Sequence, residues 1–226
     1  MKISIIVPVL NEISLLHQQL EQFRTLDAEY QLIFCDGGSK DGTYQLLHTW
    51  GLTVLQSDAG RALQMNRGAA EASGDLLLFV HADTRIKNED IQAMIEAMQV
   101  TGVVGGHFDV RLSGQAWPFR VIEWMINMRS CLSKISTGDQ CQFVRRDVFE
   151  GMQGFPKQPL MEDVEFAKRL KRLGRVICLH RKVETSSRRW ETKGICKTIW
   201  LMWRLRFLYW LGESPDKLVK EYRHAR

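Results

Sequence analysis

The chain has 226 residues, 45% hydrophobic and 25% charged, with a net charge of +5. That is the make-up of a soluble globular protein with one sizeable core, and it excludes more than one domain with an appended piece. The charge is uneven: from Glu165 onward 17 Lys and Arg stand against 6 Asp and Glu, so the first part is acidic. A basic end of this kind faces phosphates, an anionic membrane, nucleic acid, or solvent alone.

The five cysteines, Cys35, Cys131, Cys141, Cys178 and Cys196, include no CxxC pair. An odd number without a framework predicts reduced thiols in a cytoplasmic protein and argues against a zinc site. No basic-then-apolar leader precedes the first strand pattern, which supports the same compartment.

ISIIVPV (3–9) is a continuous apolar run rich in β-branched residues, predicting a strand covered on both faces. In NEISLLHQQLEQF the apolar Leu16, Leu20 and Phe23 recur at helical spacing, with Asn11 as the expected N-cap. YQLIFCD is the second strand, GGSKDG a turn cluster with Asp41 as a helix cap, and TYQLLHTW a short helix. LTVLQS is a third strand. RALQMNRGAAEA is a helix ended by Ser73 and Gly74, and LLLFV is a fourth strand, followed by the helix NEDIQAMIEAMQ.

Strands alternating with helices predict an α/β layer on a mostly parallel sheet. Ligands in such sheets bind beyond the carboxyl ends of the strands. Polar groups stand at those ends: Asn11 and Glu12, Asp36, Asp58, and Asp83.

The second half is less regular. VVGGHFDVRL, CQFVRR and RVICLH read as strands. FRVIEWMINMRSCL, DVFEGM and EDVEFAKRLKRLG read as helices, the last stopped by Gly174. GICKTIWLMWRLRFLYWLG is rich in large apolar residues, but Lys197, Arg204 and Arg206 interrupt it, so it is not a membrane span. It reads as an interfacial helix over 193–211 that contacts an anionic leaflet, or as a helix packed on the domain or a partner subunit. The expected organisation is one domain over 1–192 and a helical extension over 193–226.

Five stretches in this order, IIVPVLNE, CDGGSKDGT, GDLLLFVHADT, GFPKQPLMEDVEFAKRLKRLG and SSRRW, resemble the inverting family 2 glycosyltransferases of GT-A fold. The short length and the SRRWE-to-GESPDKL ending resemble a compact bacterial subgroup of that family. The resemblance implies transfer of a single sugar from a nucleoside diphosphate sugar to an acceptor hydroxyl. It places Pro8, Asn11, Glu12 and Asp36 at the nucleoside, since a carboxylate accepts two donors from base or ribose. Asp36 also reads as the turn-forming Asp of its own Gly-Gly turn. The family's second carboxylate after this strand is replaced by Gly37.

Asp58, Arg61 and Asn66 match positions near the diphosphate, where an Arg fork pairs with phosphate. His81-Ala82-Asp83 matches the family's DxD motif with His81 at its first position. Asp83 and His81 are therefore the implied ligands of Mn²⁺ or Mg²⁺, which offsets diphosphate charge as the sugar leaves. Protonated, His81 would instead bind phosphate. Asp163 matches the catalytic base, which accepts the proton of the attacking hydroxyl, and Glu162 its partner. The helix dipole favours acids in a first turn whatever their role. Gly138, Asp139 and Gln140 match the segment that frames the acceptor. SSRRW carries Ser186 where processive members have Gln, which argues against a polymer synthase. Arg189 remains for the diphosphate and Trp190 for stacking on a ring.

An interfacial helix makes a lipid-linked acceptor and residence on the inner membrane face natural, and a homo-oligomer is compatible with the sequence. Two other functions compete. Sugar nucleotidyltransferases carry a Gly-rich phosphate loop after the first strand, and VPVLNEIS has no glycine. A non-catalytic sugar-nucleotide-binding protein or membrane-associated scaffold would have no use for Glu162 and Asp163 beside Asp83. Nucleic acid is not expected, because the basic end sets its aromatics in an apolar helix.

Overall fold

The computed structural model describes residues 1–224, with the side chains of Arg189, Lys193, Arg223 and His224 outside the described set. In chain order the strands are β1 (Ile3–Val9), β2 (Gln31–Asp36), β3 (Thr53–Gln56), β4 (Leu76–Phe79), β5 (Thr84–Arg85), β6 (Val103–Leu112), β7 (Phe143–Arg145) and β8 (Arg175–Thr185). The helices are α1 (Ile13–Glu29), α2 (Thr43–Thr49), α3 (Arg61–Ala70), α4 (Asn88–Met98), α5 (Trp117–Ser133), α6 (Arg146–Gly151), α7 (Glu162–Leu170), α8 (Arg188–Lys193), α9 (Ile195–Trp210) and α10 (Pro215–His224).

The strands make one eight-stranded sheet in the order β3-β2-β1-β4-β7-β6-β8-β5. The pairs β3/β2, β2/β1, β1/β4 and β6/β8 are parallel, while β7 runs antiparallel to both β4 and β6, and β5 to β8.

The uninterrupted apolar run of β1 follows from its place at the centre of the parallel half. Ile3, Ile5, Val7 and Val9 pack with Leu16, Phe23 and Leu26 of α1 on one face. Ile6 packs with Ala62, Met65 and Ala69 of α3 and with Phe149, Phe155 and Phe166 on the other. Pro8 is tolerated in this strand because the pairing with β4 ends at Ile6–Phe79, leaving Pro8 opposite only Cys35 of β2. Gly68 lets α3 seat directly on the sheet: a Cβ there would lie 2.6 Å from Ile6 Cγ2 and 2.8 Å from Cys35 Sγ.

Three local expectations are corrected. Asn11 does not cap α1, because its backbone is left-handed (φ 54) and its Oδ1 accepts the Lys40 N–H instead. Asp41 does the capping, accepting the Ile13 N–H at 3.1 Å and the Thr43 N–H at 3.0 Å. The helix α7 ends at Leu170, a turn before Gly174. The thiols are not all reduced: Cys131 and Cys178, 47 residues apart with Cα atoms 5.5 Å apart, form a disulfide, while Cys35, Cys141 and Cys196 are free.

The C-terminal helices pack inward through Leu205 and Leu218, which meet Val164 of α7 and Met161 just before it. The outward residues of α9, namely Trp200, Trp203, Phe207 and Trp210, are exposed. Among the described residues no helix is long and apolar enough to cross a membrane.

Gly68→Ala gains helix propensity of about 1 kcal/mol, yet overpacking against Ile6 costs about 1–3 kcal/mol. The expected result in a thermal melt is a Tm lowered by a few degrees, and a raised Tm would refute this packing.

Candidate functional site

The ends of β1 and β4, the N-termini of α3 and α7, and faces of α5 and α9 enclose a cleft of about 1880 Å³. That is roomier than a usual small-ligand pocket of about 300–1,000 Å³, and leaves space for a donor and an acceptor together.

Pro8, Asn11 and Glu12 line one end of it. Behind them Asp36 is buried and divides its work. Its Oδ1 accepts the Gly38 and Ser39 N–H groups, both at 2.8 Å, and closes the turn. Its Oδ2 is buried with no hydrogen-bond partner. The turn-forming reading of Asp36 is thus seen directly, while the side chain itself does not line the cleft. At Gly37 an added Cβ would lie 3.1 Å from the Gln64 amide. Gln64 fills that space and donates to Val9 O (2.7 Å) and Cys35 O (2.8 Å), pinning the ends of β1 and β2 together. Gln64 lines the cleft and was missed in the sequence, where it reads as one more polar residue of a helix.

The other end is built where β4, a 3-10 turn over Gly138–Gln140, and α7 converge. Asp163, second residue of α7, accepts the Gly138 N–H at 2.8 Å through Oδ2 and the Val164 N–H at 2.7 Å through Oδ1. Gln142 donates to the Asp163 carbonyl at 3.1 Å. Gly138 has no room for a side chain, since a Cβ would lie 2.6 Å from His81 Nε2. His81, Asp83, Gly138, Asp139, Glu162 and Asp163 all line the cleft. Asn11, Cys141 and Met161 hold left-handed backbone (φ 54, 46 and 63) beside these elements, a strain that gathers at functional sites.

The electrostatics are crowded. Burial, and then the charge of Arg61, push the His81 pKa down to about 3, so the imidazole is neutral at physiological pH. Burial raises the Asp83 pKa above its ordinary value, and Asp139 adds to this against the opposing Arg61. Burial, and then Asp163, push Glu162 up to about 7. Arg61, first residue of α3, is exposed on the cleft wall yet ringed by acids. Desolvation opposes its charge, but Glu162, Tyr222, Asp163 and Asp83 hold its pKa above the usual value.

Two further cations, Arg129 of α5 and Arg188 of α8, line the same cleft and were missed. Burial, and then the neighbouring Arg206, bring Arg129 down to about 10. No periodicity marks Arg129, because its helix reads as an apolar face. The side chain of Arg189 lies outside the described residues, whereas its neighbour Arg188 is charge-coupled to Asp83. Trp190 lines the cleft and packs on Leu112, Phe119 and Ile122.

Asp36, Asp58, Asn66 and Gln140 do not line the cleft. Asp58 is exposed. Both amide atoms of Asn66 are taken by the backbone of Phe155, at 2.9 Å each. Gln140 is fully buried and donates to Phe108 O and Ser130 Oγ.

The sequence model of glycosyl transferase family 2 matches residues 4–158. An undecaprenyl-phosphate 4-deoxy-4-formamido-L-arabinose transferase of Pseudomonas paraeruginosa is 25% identical over 165 residues, covering 66% of this chain and 49% of that protein. A prophage bactoprenol glucosyl transferase homolog of Escherichia coli is 26% identical, covering 71% of this chain and 57% of that protein. The chain thus spans about half the length of the curated relatives it matches. Among solved structures, a mannosyltransferase from Pyrobaculum calidifontis in complex with GDP-Man and Mn²⁺ superposes with TM-score 0.68 at 18% identity, over 92% of this chain and 61% of that one. S. aureus TarS in complex with UDP gives 0.65 at 20% identity, over 82% of this chain and 60% of that one. These likenesses show the GT-A fold expected from the sequence. With the family model running across most of the sheet and the cleft, the chain belongs to glycosyl transferase family 2.

Proposed function

We propose that the protein is a glycosyltransferase that moves one sugar from a nucleoside diphosphate sugar to an acceptor hydroxyl, with inversion at the anomeric carbon. The observation that carries this reading is Asp163. Its two oxygens are oriented by backbone N–H groups of two different elements, and it lines the same cleft as Asp83 and Arg61. A carboxylate fixed in this way is a general base for the attacking hydroxyl. The base end of the donor lies over Pro8, Asn11 and Glu12, with Asp36 buried behind them. Arg61, Arg129 and Arg188 offset the diphosphate charge.

The residues fit a divalent cation. Asp83 is half-buried beside Asp139, whose Oδ1 is buried without a partner, and His81 presents a neutral ring. Asp83 would hold Mn²⁺ or Mg²⁺, with His81 as the neutral second ligand. The ion supplies charge neutralisation on the departing diphosphate. Two similar solved structures, both complexes with Mn²⁺, support this assignment.

The acceptor is lipid-linked in this reading. The names of the curated relatives, undecaprenyl-phosphate and bactoprenol transferases, support it, as does the surface at the cleft mouth. The exposed Trp200, Trp203, Phe207 and Trp210 lie along α9, with Lys197 and Arg206 beside them. Exposed Trp117, Val121, Trp124, Met128 and Leu132 recur at helical spacing along α5. Trp124 and Met128 line the cleft together with Trp200 and Trp203. Aromatic stripes with basic neighbours suit an anionic bilayer surface. The division into a transferase domain (1–192) and a helical extension (193–226) belongs to the same proposal, the extension and α5 forming the membrane-facing rim.

Two substitutions separate the roles. Asp83→Ala is expected to abolish Mn²⁺-dependent stabilisation by nucleoside diphosphates in thermal-shift assays. Asp163→Asn keeps that stabilisation and loses turnover by about 10²–10⁴-fold. Full turnover in Asp163→Asn removes it as the base.

Glu162 gives a pH prediction. With its pKa raised from 4.5 to about 7, the folded chain holds a proton that the unfolded chain has released within that window. Stability from this group therefore falls as pH rises through the window. Relative to wild type, Glu162→Gln should gain on the order of 2 kcal/mol at pH 8, roughly 4–8 °C in Tm, and little at pH 5. An equal effect at both pH values contradicts the assignment.

Cosedimentation with vesicles tests the rim. Binding is expected to vesicles containing anionic lipid, and to be lost in the double variant Trp124→Glu, Trp203→Glu. No binding to any vesicle overturns the membrane contact and leaves the transfer reaction to be judged by its own assays.

A further inference from the structure

Outside the cleft, the joint between β6, β8 and the end of α5 gathers an unusual set of side chains. Cys131 stands in the last turn of α5, and Cys178 and His180 on β8. Their ligand atoms all lie within 4.8 Å of one another. Asp109 of β6 meets two of them: its Oδ1 lies 3.6 Å from Cys178 Sγ and its Oδ2 3.1 Å from His180 Nδ1. The pairing of β6 with β8 slips here, Phe108 standing opposite Leu179 but Asp109 opposite Lys182. His180 lies in the stretch of β8 that this bulge leaves unpaired, and bulges re-aim side chains. His107, two residues before Asp109 on the same face of β6, is fully buried with Nε2 lacking any hydrogen-bond partner.

We propose that, once the Cys131–Cys178 bond is reduced, these residues form a site for a soft divalent cation, Zn²⁺, with Cys131, Cys178, His180 and Asp109 as its four donors. Two thiolates, one imidazole and one carboxylate are a donor set that zinc favours over magnesium or calcium. Zinc–ligand bonds of about 2.0–2.3 Å in a tetrahedron put neighbouring N and O donors roughly 3.3 Å apart and S and O donors roughly 3.6 Å apart. With the disulfide intact, Asp109 already turns one oxygen to each of two of these donors, Oδ1 to Cys178 Sγ at 3.6 Å and Oδ2 to His180 Nδ1 at 3.1 Å, so a small turn of the carboxylate brings one oxygen to a cation between them. Two thiolates on one zinc sit roughly 3.8 Å apart, so the sulfurs separate when the bond is broken.

The disulfide and the metal site are alternative states of one cluster. A dithiol reductant delivers two electrons and two protons to the Cys131–Cys178 bond and is itself oxidised to a disulfide. The two thiols then lose their protons to solvent as the cation binds. Either state ties the end of α5 to β8, immediately before the segment that carries Gly138. This site does not depend on the proposed transferase reaction, and its test does not measure that reaction.

Co²⁺ titration of the full chain under excess anaerobic reductant is the test. The expected result is one Co²⁺ bound per chain, with a thiolate-to-metal charge-transfer band and the visible bands of tetrahedral cobalt, displaced by Zn²⁺. Cys131→Ser and Cys178→Ser should each abolish the band, while Asp109→Asn weakens affinity about 10–100-fold. Cys196→Ser, which removes the exposed free thiol, should leave the band unchanged. Melting curves of each variant establish that it is folded. The proposal is overturned if reduced protein gives no charge-transfer band, if the band survives in Cys131→Ser, or if the disulfide persists under reductant.

Discussion

The hydrogen bond from the Gly138 amide to the Asp163 carboxylate, 2.8 Å long, is the joint on which the cleft depends. It ties a turn that leads into β7 to the first turn of α7, two elements far apart in the chain. His81, at the end of β4, lies against Gly138 so closely that no side chain fits there. The antiparallel β7 between β4 and β6 makes this possible, because it brings the chain back alongside the end of β4. Gln142 adds a second brace by donating to the Asp163 carbonyl. A carboxylate held by two backbone amides loses little orientational freedom when a substrate arrives, which is what a positioned base requires.

Charge balance shapes the rest of the cleft. Asp83, Asp139, Glu162 and Asp163 converge in partly desolvated surroundings, and Arg61 faces three of them. Burial is the first cause of the raised pKa values of Asp83 and Glu162, and the neighbouring carboxylates Asp139 and Asp163 add to it. His81, neutral beside them, adds a donor atom to this crowd without adding a negative charge. Beside Gly37 the neutral amide of Gln64 fixes the ends of β1 and β2 together.

Much of the framework was legible because fully buried parallel strands leave continuous apolar runs that stop at polar residues. The polar stops at Asn11, Glu12 and Asp83 do reach the cleft. Polarity at a strand end does not fix its use, however. Asp36 spends an oxygen on its own turn and stays out of the cleft, and Asp58 turns to solvent. Arg129 and Arg188 enter the cleft from helices that precede and follow the last strands, and only the fold brings them to Asp83 and Asp163. The cysteine reading failed for the same reason: Cys131 and Cys178 are 47 residues apart, and no spacing rule links a helix end to a strand across a sheet.

The most direct measurement is a crystal structure of the protein grown with a nucleoside diphosphate and Mn²⁺. The expected result is anomalous density for the metal on the Asp83 carboxylate, the diphosphate between that ion and Arg61, and the Asp163 carboxylate still held by Gly138. A nucleotide bound away from the β1 and β4 ends, or a metal that touches none of the cleft acids, would contradict the reading of this cleft as the donor site.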